Sequence, residues 1–182
     1  MHKVTSAALA GVLLAPAVTS TAVADTASPS IVATYKGQTI DLVNGWGSAH
    51  ACVVLATASV QCYDTEAEMR DALTASATQP SQRYALSPSV TCSSPTTLVT
   101  LYASTNMTGN SLSFVSTSGW TNLAPYGFDN KLESWRNQTA CDATVADGTL
   151  GSGGQLTLAA RSSATTVGTA WKDRASSINV LP

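Results

Sequence analysis

The chain is poor in charge: Lys, Arg, Asp and Glu make up only 11% of its 182 residues, with a formal net charge of −2. It has no basic run, so the counterion-release footing for nucleic acid is missing. Nothing in it would draw the chain to an anionic membrane surface. Histidine is nearly absent as well: apart from His2 there is only His50, two residues from Cys52. Nucleophilic hydrolysis needs a base beside its serine or cysteine. No Gly-x-Ser-x-Gly, His-Glu-x-x-His, phosphate loop or dinucleotide fingerprint is present. Asp64, Glu66, Glu68 and Asp71 crowd one segment, but on a short capped helix they read as a solvated face. The reading is that the chain is not an enzyme. There is no Cys-x-x-Cys pair, so a zinc site has no recognisable ligand set.

Long apolar runs are confined to the start. Met1-His2-Lys3 gives a short positive opening, Val4 to Val18 is uncharged and rich in Ala, Leu and Val, and Ala22-Val23-Ala24 supplies a small-x-small cleavage site. Residues 1–24 read as a signal peptide, too short and too rich in Ala and Thr for a membrane span. The expectation is a secreted, extracellular protein that begins near Asp25, takes neither membrane nor nucleic acid as partner, and is a monomer.

Four cysteines suit export, where they pair, and four allow three connectivities. Ala51-Cys52-Val53-Val54-Leu55 and Ser59-Val60-Gln61-Cys62-Tyr63 read as strands around a turn near Thr57, which sets residue 52 opposite residue 62. Cys92 is left with Cys141, closing a loop of about fifty residues worth up to roughly 4 kcal/mol in the chain-entropy view.

Residues 25–76 read as a small α+β unit. Ile31–Tyr35 and Thr39–Leu42 flank a turn at Lys36-Gly37-Gln38, and the disulfide hairpin follows. Thr65-Glu66-Ala67-Glu68 has the form of a capping box, with Met69, Ala72 and Leu73 as the apolar stripe of a short helix. Residues 77–95, with Pro80, Pro88 and Pro95, form a linker. From Thr96 the chain is a series of short strands punctuated by Gly, Asn, Asp and Ser, an all-β signature.

Within residues 96–182 two stretches repeat one plan, about 97–139 and 142–182. The first opens Leu98-Val-Thr-Leu-Tyr102-Ala-Ser-Thr-Asn-Met107-Thr-Gly109 and continues Leu123…Tyr126…Ser134-Trp135-Arg136. This resembles a βγ-crystallin Greek-key motif, with Met107 where a second aromatic is usual; the resemblance implies a left-handed backbone at Gly109 with Tyr102 over the turn, and a motif serine that ties the third strand to the folded hairpin. Phe128-Asp129-Asn130-Lys131…Ser134-Trp135-Arg136-Asn137 and Thr139-Ala140-Cys141 are similar to secreted actinobacterial crystallin-like proteins grouped as a peptidase-inhibitor family. The second copy is worn and closes on Trp171-Lys172-Asp173-Arg174-Ala175-Ser176-Ser177-Ile178. The resemblance covers roughly half the chain. It implies a mainly β protein in which a βγ-crystallin-like double Greek-key β-sandwich follows the small disulfide-bonded α+β unit.

The same resemblance carries the functional expectations. The favoured one is a non-catalytic binding protein, an extracellular peptidase inhibitor, with Ser116 to Thr121 and Gly148 to Gln155 as candidate loops. The alternatives are a calcium-binding structural protein of the envelope and a small antimicrobial or killer-toxin-like protein. Microbial βγ-crystallins bind calcium through two Asp/Asn, two variable residues, Ser/Thr, then Ser, and oxygen ligands suit this hard cation. The candidate ligands are Asp129, Asn130 and Glu133 in the first copy, and Asp173 and Ser176 in the second. Glu133 replaces the hydroxyl residue and Lys172 replaces the first acid, which sets positive charge against a cation. Plain loop hydrogen bonding is the competing role for Asp129, Asn130 and Asp173. Trp135 and Trp171 are expected in the core, with Trp46 and Trp120 divided evenly between core and exposed contact.

Overall fold

The computed structural model describes residues 31–55, 59–77, 92 and 96–181. The signal-peptide reading, the turn at Thr57 and most of the 77–95 linker lie outside these residues. Among these residues twelve short strands and one α-helix make a mainly β fold. The strands are β1 (Val32–Tyr35), β2 (Gln38–Asp41), β3 (Ala51–Val54), β4 (Val60–Tyr63), β5 (Val99–Ser104), β6 (Thr108–Phe114), β7 (Thr121–Asn122), β8 (Ser134–Asn137), β9 (Ala143–Ala146), β10 (Gln155–Leu158), β11 (Ser162–Ala164) and β12 (Ser177–Val180); α1 spans Glu66–Ala77.

Residues 97–180 form two Greek keys, β5–β8 and β9–β12. The first four strands of an eight-stranded order run β11-β8-β5-β6, and the second sheet runs β10-β9-β12-β7. Each key therefore lends its third strand, β7 or β11, to the other key's sheet. This reciprocal exchange defines the double Greek-key sandwich of the βγ-crystallin type. Alternation explains the layering: Val99, Leu101, Leu112, Phe114 and Trp135 point inward to meet Val145, Leu158, Ile178 and Val180 from the facing sheet. Phe114 meets Tyr126 edge-on at 5.8 Å between ring centroids.

The serine of each key is a tie. Ser134 Oγ accepts from the Met107 N–H at 3.0 Å and donates to the Ser104 carbonyl. Ser177 Oγ does the same in the second key, accepting from Gly151 N–H at 3.0 Å and donating to the Gly148 carbonyl at 2.6 Å. Both serines open the fourth strand of their key, not the third as the motif reading has it. Gly109 takes the expected left-handed backbone, φ +74°, but the side chain over it is Ser104 and not Tyr102. Tyr102 instead turns to the outer face and donates its hydroxyl to Glu66.

The N-terminal segment is not a separate body. β3 pairs in parallel with β6, from Ala51 opposite Ser111 to Val54 opposite Phe114. The order thus continues β6-β3-β4-β1-β2 as one sheet. Leu42, Trp46, Cys52 and Cys62 join the core cluster of the Greek keys, and the Trp46 indole N–H donates to the Tyr126 carbonyl at 2.9 Å. Strand β3 is buried on both faces, which suits a place inside the sheet and not at its edge. Its inward face meets the sandwich core. Its outward face, Ala51 and Val53, meets Met69 and Leu73 of α1.

Helix α1 begins as expected. Thr65 Oγ1 accepts from the Glu68 N–H at 3.1 Å, while the Glu68 carboxylate accepts from Asp64 N–H. The acidic residues are not all solvated, however. Glu66 accepts from Arg70 at 2.7 Å, from Arg136 at 3.1 Å and from the Tyr102 hydroxyl at 2.8 Å. This carboxylate clamps the helix onto β5 and β8. Burial, then the Glu66 hydrogen bond, push the Tyr102 phenol well above its ordinary range. Both expected disulfides are present, Cys52–Cys62 across β3 and β4 and Cys92–Cys141. No helix among the described residues is long and apolar enough to cross a membrane.

Candidate functional site

Two arches related by the internal repeat hold the sequence-derived site residues. In the first, the chain turns at Asn130 with φ +54°; in the second it turns at Asp173, also with φ +54°. The arches are stitched together reciprocally. Asn130 N–H donates to the Ala175 carbonyl at 2.9 Å, and Asp173 N–H donates to the Leu132 carbonyl at 3.1 Å. Asn and Asp tolerate this backbone better than other side chains do, which gives both positions a conformational reason for their identity.

Glu133 precedes the tie serine of the first key and meets Lys172 from the second arch, 2.8 Å from carboxylate oxygen to ammonium nitrogen. The carboxylate holds the Lys172 ammonium above its usual pKa range. Asp129 accepts from the Asn130 side-chain amide at 2.9 Å. Asp173 and the half-buried Ser176 lie on the second arch, where the Ser176 main chain joins Ala146 and Leu123. Asp147 is engaged by Arg174 and by the Gly154 N–H.

The Lys172 ammonium sets positive charge where a calcium ion would have to sit. Calcium takes six to eight oxygens, several of them anionic. Among the described residues no three acidic, His or Cys side chains converge. A lysine ammonium already neutralises Glu133, the carboxylate that a cation would need most. Lys172→Asp should therefore give a protein whose melting temperature rises with millimolar calcium, while the natural chain stays nearly unresponsive. Isothermal titration and thermal melting read this directly. A natural protein that gains many degrees from calcium would refute the charge argument.

The two loops expected as contact surfaces are neighbours in space. Trp120, half-buried, packs so tightly over Gly151 that a β-carbon there would lie 2.3 Å from the indole. Between Asp147 and Gly154 six of the eight backbone N–H groups are engaged. Asp147 N–H donates to Gly154, Gly148 N–H to Ser152 and Ser152 N–H to Thr149, at 2.9–3.1 Å. Leu150 N–H donates to Asn122 Oδ1 at 2.8 Å and Gly151 N–H to Ser177 Oγ. At the apex Leu150 holds φ +51° and is 65% exposed, the most exposed large apolar side chain among the described residues. Sequence reading placed the loop but not Leu150, because a Gly-Thr-Leu-Gly string does not reveal which way its leucine points. In the other loop, Thr117 is pinned to Val180 by its N–H at 2.8 Å.

The four indoles divide as follows. Trp46 and Trp135 are buried, Trp120 and Trp171 half-buried, and the Arg174 guanidinium lies 5.9 Å from the Trp171 ring. The lone imidazole of the described residues, His50, shares a 3.0 Å hydrogen bond with the Asn110 side chain.

No family model and no curated protein matches the chain. Solved βγ-crystallin domains do resemble it. The domain from Clostridium beijerinckii is 20% identical over 46% of this chain and 97% of its own, with a TM-score of 0.41. The domain from Flavobacterium johnsoniae is 26% identical over 46% of this chain and 92% of its own, at 0.38. The βγ-crystallin of Ciona intestinalis is 20% identical over 46% of this chain and 98% of its own, at 0.39. At scores this low the fold assignment rests on the exchanged third strands and the two serine ties, and what these domains resemble in this chain is a βγ-crystallin-like double Greek key.

Proposed function

We propose that the chain is a non-catalytic binding protein acting outside the cell, and most concretely a peptidase inhibitor. The observation that supports this reading is the locked loop carrying Leu150. A loop whose amides are already satisfied loses little further freedom on association, so more of the contact energy appears as affinity. A protruding leucine on such a loop suits the hydrophobic specificity pocket of a peptidase. The resemblance of residues 128–141 to crystallin-like peptidase inhibitors points the same way. The left-handed backbone at Leu150 differs from the extended chain that peptidases cleave. The loop therefore acts as an anchor that blocks the cleft and is not itself cut.

The test is inhibition of secreted metallo- and serine peptidases by the intact protein. Burying a leucine contributes about 1.5–3 kcal/mol, so Leu150→Ala should weaken inhibition roughly ten- to a hundredfold without changing the melting temperature. Inhibition that is indifferent to Leu150, or absent against both peptidase classes, would remove the reading.

A further inference from the structure

Beside α1, where the outer face of the eight-stranded sheet is no longer covered by the helix, a shallow groove of about 370 Å³ is lined by Arg136, Asn137, Gln138, Arg161, Ser162 and Ser163. It is built on the β8–β11 pairing, which sets Ser163 opposite Arg136 and Ser162 opposite Asn137. We propose that this groove binds a tetrahedral oxyanion, a phosphate or sulfate group, between the guanidinium groups of Arg136 and Arg161.

The charge balance of the groove carries the argument. Arg70 and Arg136 share one carboxylate, Glu66. Arg161 makes no ion pair with any described residue, unlike Lys36, Arg70, Arg136, Lys172 and Arg174. Its backbone is nevertheless fixed: φ is +51°, its N–H donates to the Thr139 carbonyl at 3.1 Å, and the preceding Ala160 N–H donates to Asp142 Oδ1 at 2.8 Å. A cation is thus held at the rim without an internal acid to satisfy it.

The other lining groups are also donors. Arg136 directs one nitrogen to Glu66 and the other only to the Met107 sulfur, a weak acceptor. Gln138 accepts from Arg70 through its oxygen at 2.9 Å, which leaves the amide N–H groups as its available end. The Ser163 hydroxyl, opposite Arg136 on the same face of the sheet, adds one more donor at an exposed position. Donors from the floor and the rim suit a group with three or four oxygens and up to two charges better than a planar carboxylate. The chain itself has little to put there. Outside the described residues Asp25 is the sole acidic side chain, and the adjoining linker carries Arg83 and no carboxylate.

The experiment follows backbone and arginine side-chain resonances by two-dimensional NMR while the intact protein is titrated. The probes are inorganic phosphate, inorganic sulfate and phenyl phosphate, with acetate and chloride at matched ionic strength for comparison. Saturable shifts confined to Arg136, Gln138 and Arg161–Ser163 are expected with the tetrahedral anions. Tighter binding of phenyl phosphate than of inorganic phosphate would identify an ester as the source, and the reverse a free anion. Arg161→Ala should weaken binding roughly ten- to a hundredfold with an unchanged melting temperature, because that side chain has no internal partner to lose. Arg161→Lys should keep part of the affinity. Shifts that chloride reproduces, that scatter over every basic residue, or that persist in Arg161→Ala would overturn the proposal.

Discussion

Replacing Gly127 with valine should destabilise the entire chain by roughly 3–8 kcal/mol. Gly127 ends the turn after Tyr126 at φ +64°, and a β-carbon there would lie 2.3 Å from the Leu42 carbonyl oxygen and 3.5 Å from the Trp46 indole nitrogen. The left-handed backbone alone costs about 1–2 kcal/mol for a residue with a side chain. The remainder comes from pushing away a backbone carbonyl and breaking the buried Trp46–Tyr126 hydrogen bond, each unsatisfied group costing about 1–3 kcal/mol. Domains are stable by only about 5–15 kcal/mol, so the variant should be partly unfolded at physiological temperature. Urea unfolding followed by tryptophan near-ultraviolet circular dichroism measures it, since Trp46 and Trp135 report the two halves of the core. One shared transition, shifted to lower urea, is expected. Two transitions, with only the first moved, would show that residues 31–77 fold apart from the Greek keys after all.

Removing the Cys92–Cys141 bridge by a double change to serine should cost up to roughly 4 kcal/mol, against about 3 kcal/mol for Cys52–Cys62 from loop entropy alone. The difference follows from the sequence separations, 49 and 10 residues. Order of reduction should run the same way for a different reason. Cys52 and Cys62 are buried beneath the sheet, whereas Cys92 and Cys141 are half-exposed, so dithiothreitol reaches the long-range bridge first. Thermal melting of the two double mutants and mass spectrometry of partly reduced protein separate these statements. Faster loss of the Cys52–Cys62 bond in the native state would mean that the β3–β4 hairpin opens locally.

How much of this was legible in the sequence depended on the range of the interactions. The Cys52–Cys62 register, the Thr65 cap, the Met69 and Leu73 stripe and the left-handed turn at Gly109 follow from a few adjacent residues, and the structure agrees with each. The parallel pairing of β3 with β6 does not. It joins residues about sixty positions apart, and no local pattern names the partner. Glu66 was misread for the same reason: Arg136 and Tyr102 arrive from distant strands to bury a carboxylate that looks solvated in its own helix. In the candidate site, the conflict between Lys172 and a cation was visible as a charge out of place, but its resolution as an ion pair with Glu133 required the second arch. Leu150 and Arg161 had no signal at all. Their significance lies in the backbone angles that turn them outward, and those angles are set by neighbours elsewhere in the chain.

The exchange of β7 and β11 between the two sheets also constrains the order in which the protein can be made. The first sheet lacks an edge until Ser162–Ala164 have emerged, and β7 has no sheet to join until Ser177–Val180 are present, because β7 pairs with β12 alone. A chain growing from its N-terminus can close the β3–β4 hairpin early, yet the first layer of the sandwich waits for β11 and the second for β12. Non-local pairing of this kind slows folding, since the loop entropy is lost before the contacts repay it. Truncation by even the four residues of β12 would leave β7 unpaired and strip Ile178 and Val180 from the core.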